Sequence, residues 1–244
     1  MAMVVLFVKL LFSKMECDKL FVKRFLKMKV LQNKNAIKRG RGRPPARSEE
    51  ETFRLVIEAA AEEFQAKGYA DTGVDEIAER AGLSTRTIYQ LVKTKAELFE
   101  MVVADRTSRF IPTADDRELN QLAPEEALSG ILSSYGKLTL SAETIAITRL
   151  VIAEGARFPE MAKAFQEKAV ARINAVIEAW LIQQVERGVL QLGDPHTAAG
   201  MLRGMMLMEP QRAVFLGQRD VPTEMEIETR ARACAALFLQ GCRA

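Results

Sequence analysis

The stretch AGLSTRTIYQL, from Ala81 to Leu91, constrains this chain more than any other. Upstream of it, Ile77, Ala78 and Ala81 fall on one face of a short helix running from about Val74 to Ala81. Gly82 permits a left-handed turn residue, Leu83 plugs the corner, and Ser84 can cap a third helix. Ile88 and Leu91 anchor that third helix from behind, leaving Ser84, Thr85, Arg86, Thr87, Tyr89 and Gln90 on its outer face. Small Ala78 lets the two helices cross closely, which completes a helix-turn-helix pattern. Short hydroxyls let a helix N-terminus approach phosphates, and Arg86 and Gln90 can reach base edges. The competing reading is a buried helical hairpin with a solvated polar face. The number of filled interior positions weighs against it.

The first folded helix begins at Ser48, where Ser48 and Glu51 make a capping-box pattern and Glu49 and Glu50 favour the positive helix end. Phe53, Val56, Ile57, Ala60, Ala61 and Phe64 form its apolar stripe, and Lys67-Gly68 supplies the stop, with Tyr69 in the loop. The cap of the second helix is either Thr72 with Asp75 or Gly73 with Glu76. Thr94 and Glu97 form another capping box at the start of a fourth helix, expected from Lys95 to about Phe110.

Ala, Leu, Glu, Arg and Met dominate, apolar spacing is helical throughout, and no alternating β-branched run occurs, so the 244 residues read as all-α. Three cysteines (Cys17, Cys234, Cys242) make no disulfide framework, and one histidine, His196, makes no metal or general-base constellation. No phosphate-binding glycine loop is present. No cofactor and no metal are expected, a helical enzyme is poorly supported, and a reducing cytoplasm fits.

The net charge of +3 hides an asymmetry: residues 1–47 carry 13 Lys or Arg and 2 acids, whereas the rest is net −8. A basic arm on an acidic body points to a polyanion partner for the arm. Residues 1–12, MAMVVLFVKLLF, lack the basic lead and cleavage site of a targeting segment and are too short to span a bilayer. Residues 4–31 could lie on a membrane as a basic amphipathic helix. The preferred reading is that 1–38 is poorly ordered, with Met15 or Met28 as an alternative start, and no stable membrane association is expected. In KRGRGRPP (Lys38–Pro45), the core Arg41-Gly42-Arg43-Pro44 resembles the AT-hook. In that motif Gly lets the backbone come close while Arg seeks the narrow minor groove of A·T-rich DNA.

Together, Phe64, Gly68, Tyr69, Thr72, Ile77, Ala78, Ala81, Gly82, Ser84, Thr87, Ile88, Tyr89, Lys95, Leu98 and Phe99 resemble the TetR/AcrR family of transcriptional regulators over about 50 residues, Phe53 to Phe99. Two positions depart from the family pattern: Gly73 replaces Ser or Thr, and Leu91-Val92 replaces a ring residue followed by Phe. The resemblance implies that Thr72, Tyr89 and Lys95 contact phosphates, with Lys93 beside them, and that Thr85, Arg86, Thr87 and Gln90 lie nearest the bases.

The body is expected to hold a loop or short helix over 111–123, a helix after Pro124, and another over roughly Glu143–Ala156. A helix from Pro159 to about Gly188, the longest of the body, follows, with two more near Thr197–Leu216 and Thr223–Cys242. The expected organisation is an N-terminal extension (1–47), a helix-turn-helix DNA-binding domain (48–110) and a helical effector-binding and dimerisation domain (111–244). The segment Arg149–Phe165 resembles the C-terminal domain of one subgroup of these regulators. Gly200 and Gly204, Met201 and Met205, and the face of Ala231, Ala235 and Leu239 suit close helix approach. By resemblance the last two helices form a homodimer interface; the alternative is core packing within one subunit. A ligand cavity is likewise implied by the resemblance, with Tyr135, Arg149, Glu154, Phe158, Trp180 and Met205 as candidate lining residues. The chain is therefore expected to be a ligand-responsive regulator, a repressor by the family's usual sign, that binds a palindromic double-stranded DNA operator. A small-molecule effector would release it. The rival is an architectural A·T-rich minor-groove DNA-binding protein using the Arg41/Arg43 arm.

Overall fold

The computed structural model describes residues 48–108 and 121–242, so the Arg41/Arg43 arm and all but the last three residues of the loop or short helix expected over 111–123 lie outside the described residues. Both apolar cores described for this chain lie within one unit, Phe53–Ala244. Every regular element among the described residues is helical, as composition and periodicity require.

Helix α1 (Glu49–Asp71) opens with the Ser48 hydroxyl accepting the Glu51 N–H at 3.0 Å. Gly68, at φ 84°, breaks its helical geometry where the sequence placed the stop. Helix α2 (Val74–Ala81) is capped by Gly73, and the choice left open by the sequence resolves to the Gly73–Glu76 pair. Gly73 has no side chain to accept, so half of the box remains: its N–H donates to the Glu76 carboxylate at 3.0 Å. Gly82 ends α2 at φ 63°, and the Leu83 N–H returns to the Ala78 carbonyl at 2.9 Å. Helix α3 (Thr85–Leu91) and helix α4 (Lys95–Ser108) follow. The unusual Leu91-Val92 pair does not loosen the corner between them, because Val92 is buried and packs in the same core as Leu98 and Phe99.

Helices α5 (Pro124–Thr139) and α6 (Ala142–Glu154) lie where proline and the Ser141 cap put them. The long helix expected from Pro159 is not uniform. It runs as α7 (Pro159–Phe165), a π-helical turn (Gln166–Val170) and α8 (Ala171–Glu186), and such wide turns concentrate at functional sites. Helix α9 (Pro195–Phe215), capped by the Asp194 carboxylate, and α10 (Glu224–Cys242) complete the body.

Two apolar cores organise these elements. One gathers α1 to α4 and takes in Met161, Ala164 and Ala169 from the body. The other joins α5, α8, α9 and α10 around Leu128, Leu132, Trp180, Leu181 and Leu202. Helix α5 crosses α9 and α10 at Gly136, where an added Cβ would lie 2.5 Å from Met206 Cε and 2.7 Å from Ile227 Cγ2. Ala231, Ala235 and Leu239 belong to this interior. Small Ala231 and Ala235 let α10 approach within its own subunit, which for this face is the alternative that the sequence left open. The outward large apolar residues of the last two helices include Met201 (65% exposed), Met205, Met208, Met225 (73%) and Leu237 (63%). A Cβ at Gly204 would meet no other atom within 4 Å among the described residues.

Candidate functional site

The outer face of α3 is built from behind. Ile88 is fully buried, so the helix is seated with a fixed rotation. The Ser84 hydroxyl accepts the Thr87 N–H at 3.2 Å and lies 2.8 Å from the Thr87 hydroxyl, which fixes where the helix begins. Thr85 donates to Asp75 on α2 at 3.0 Å, tying the two helices across the turn. Arg86, Tyr89 (54% exposed), Gln90 and Lys93 are exposed on the same side. The sequence reading placed Arg86, Tyr89 and Gln90 outward, and all three are exposed.

The scaffold behind α3 is electrostatic as well as apolar. Glu63 on α1 is buried, with Arg80 Nε at 2.6 Å and Lys67 Nζ at 3.0 Å. Hydrogen bonds from Arg80 and then Lys67 hold its carboxyl below the usual carboxylate range, against the opposing effect of burial. Lys67 also reaches Glu76 at 2.9 Å, so four charges, Glu63 and Lys67 on α1 with Glu76 and Arg80 on α2, staple the two helices together.

Two expected phosphate contacts turn inward. Thr72 is 2% exposed, and its single hydroxyl hydrogen is shared between the Gly68 and Glu63 carbonyls at 2.6 and 3.1 Å. Lys95 spends all three ammonium hydrogens on the carbonyls of Tyr69, Ala70 and Thr72, at 2.6, 3.1 and 3.0 Å. Burial lowers its pKa. Both residues donate to carbonyls at and around the C-terminal end of α1, where helical geometry leaves acceptors without intrahelical partners. A lysine at the first position of a helix opposes the helix dipole. That mismatch was the signal in the sequence that Lys95 serves something other than its own helix.

The second feature is a cavity of about 230 Å³ in the body. Its wall includes Arg106 and Thr107 from α4, Tyr135 from α5, Thr148 from α6, Asn174 from α8 and Gln211 from α9. Most of the surface is apolar, and the polar groups are mainly hydroxyls and amides. Thr107, Thr139 and Thr148 donate to the carbonyls of Val103, Tyr135 and Thr144, so their oxygens remain as acceptors. Burial pushes the Tyr135 phenol to about 12, so it is a neutral donor at ordinary pH. Arg106 is not a lone charge: its guanidinium meets both Glu58 carboxylate oxygens on α1, at 3.2 and 2.6 Å.

Of the residues expected to line a cavity, Tyr135 does so. Arg149 points elsewhere and donates to the Val214 and Phe215 carbonyls at the end of α9. Glu154 accepts two backbone N–H groups, from Tyr69 at 2.9 Å and Ala70 at 2.7 Å. Phe158 packs against the Tyr69 ring, centroids 5.0 Å apart. Trp180 is buried in the body core, and its indole N–H has no partner among the described residues. Met205 lies on the outer side of α9. The sequence reading missed Arg106, Thr107, Thr148, Asn174 and Gln211. The available hint was threonine inside helices, where it is a weak former. Among the described residues, no group of three or more His, Cys, Asp or Glu could hold a metal ion, and no helix is long and apolar enough to cross a membrane.

Residues 56–102 match the family model of bacterial regulatory proteins of the tetR family. Residues 126–242 match that of the AefR-like transcriptional repressor C-terminal domain. The chain is 30% identical over 164 residues to the uncharacterized HTH-type transcriptional regulator YhgD of Bacillus subtilis (strain 168), covering 67% of this chain and 76% of that protein. A crystal structure of a TetR-family transcriptional regulator from Mesorhizobium loti MAFF303099 superposes with a TM-score of 0.69 at 28% identity, covering 81% of this chain and all of that one. The structure of the flavonoid-responsive regulator FrrA gives a TM-score of 0.65 at 26% identity, over 80% of this chain and 98% of that one.

Proposed function

The chain belongs to the TetR family of transcriptional regulators, and from that premise we propose that it is a cytoplasmic, effector-released repressor that binds a palindromic operator as a homodimer. The observation that carries this reading is the outer face of α3, where Arg86, Tyr89, Gln90 and Lys93 stand exposed over a helix fixed by buried Ile88. Thr85, Arg86, Thr87 and Gln90 read base edges, while Tyr89 and Lys93 contact phosphates. Two such heads engage half-sites about one helical turn (~34–36 Å) or a multiple apart. The Arg41/Arg43 arm adds a minor-groove contact. Met201, Met205, Met208 and Leu237, with open Gly204 beside them, form the surface on which a second copy pairs.

The cavity is the effector site. Its apolar wall with scattered hydroxyl and amide groups suits a compact, mostly apolar molecule bearing a few hydrogen-bonding groups. Release follows if the effector binds the non-DNA-binding state more tightly. That residues 126–242 match the C-terminal domain of an AefR-like repressor supports the sign of regulation. The test is Arg86→Ala assayed on a selected operator and on random DNA. A bidentate base contact predicts a loss of about 1–3 kcal/mol on the operator and little on random sequence. Equal losses on both remove Arg86 from base reading.

A further inference from the structure

We propose that Glu154 is the positioning residue through which the cavity wall holds the DNA-reading head; the assignment rests on the function proposed above. Glu154 is the last residue of α6, whose Thr144, Ile147 and Thr148 line the cavity. Its two carboxylate oxygens accept the consecutive N–H groups of Tyr69 and Ala70, at 2.9 and 2.7 Å. These residues begin the turn from α1 into α2. The approach is close: a Cβ on Gly68 would lie 2.5 Å from Glu154 Oε1. The turn is thus held between two charges, Glu154 on its N–H groups and Lys95 on its carbonyls. A carboxylate at a helix C-terminus is disfavoured by the helix's own dipole, so glutamate suits this position only through its partners in the head.

Helix α6 is anchored at a second point, where Arg149 holds the terminal carbonyls of α9. Thr148 and Glu154 are six residues apart, about 9 Å along the axis. A molecule that tilts or slides the cavity-lining part of α6 therefore carries the carboxylate with it. Either the turn follows, moving the start of α2 at Gly73, or the two hydrogen bonds break. Both outcomes change the attitude of α3 toward DNA.

The test uses the full chain and a duplex that the wild type selects from random sequence, with Val170→Phe filling the cavity as a built-in surrogate for an occupant. Val170 lies on the cavity wall in the π-helical turn. Val170→Phe is expected to weaken binding of the selected duplex by about fivefold or more. In the Glu154→Gln background, which removes one acceptor oxygen, most of that effect should vanish. Amide exchange at Tyr69 and Ala70 should quicken from wild type to Glu154→Gln to Glu154→Ala, in variants whose circular dichroism remains native. An additive cycle, no effect of Val170→Phe, or unchanged exchange at the two amides would overturn the proposal. If the wild type selects no duplex, the function proposed above fails, while the exchange measurement still decides whether Glu154 holds the turn.

Discussion

At the scale of single residues, Lys95 separates the structural account from the sequence pattern. Its position at the start of α4 suggested a phosphate contact, but its three N–H groups are used on the carbonyls of Tyr69, Ala70 and Thr72. Lys95→Ala should therefore cost about 1–3 kcal/mol of stability, through carbonyls left without donors. The log-salt slope of DNA binding should not change. A slope reduced by about one with undiminished stability would restore the phosphate contact. Thr72 and Glu154 carry the same lesson. Sequence shows what a side chain can do, whereas the partners of Lys95 and Glu154, 23 to 85 residues away, are set by tertiary contacts with no local periodicity. Gly68 was legible as a helix stop, yet nothing in the sequence showed that it also makes room for Glu154.

At the scale of elements, the reading head was legible because its interior positions are local. Ile77, Ala78, Ala81 and Ile88 alternate with polar residues at helical spacing, and all four are buried. The body was legible as helices but not as a cavity. Tyr135 meets Thr148, Asn174 and Gln211 across four helices, and no spacing within one helix encodes that meeting. The π-helical turn was invisible for a similar reason, since Gln166–Val170 has ordinary helix formers. The α1–α2 staple yields a pH prediction. Arg80 and Lys67 hold the Glu63 carboxyl below its ordinary 4.5. Its stabilisation is fully present above 4.5 and is lost as pH falls through the lowered folded value. Glu76, Asp194, Glu226 and Glu228 shift in the same direction. Melting temperature should thus fall with acid below that point, and less steeply in Glu63→Gln. Identical acid profiles for the two proteins would contradict the role given to Glu63.

At the scale of the whole molecule, pairing of two copies would turn one weak reading head into a specific one. Of the residues that the sequence suggested for close helix approach, Met201 and Met205 stay outside and are available for pairing, whereas Ala231, Ala235 and Leu239 are used inside the subunit. Met201→Glu combined with Leu237→Glu should give monomers in analytical ultracentrifugation while leaving Ala231, Ala235 and Leu239 packed on α5. Loss of bivalency should then weaken operator binding about 100-fold or more. A dimer that persists in this variant would place the interface elsewhere. The most direct measurement of the central claim is a footprint of the purified chain on its own upstream DNA at two salt concentrations. The account predicts a protected site with two-fold symmetry, half-sites about one helical turn or a multiple apart, that survives the higher salt. Diffuse protection lost at higher salt, with no symmetry, would contradict it and leave only charge-driven binding.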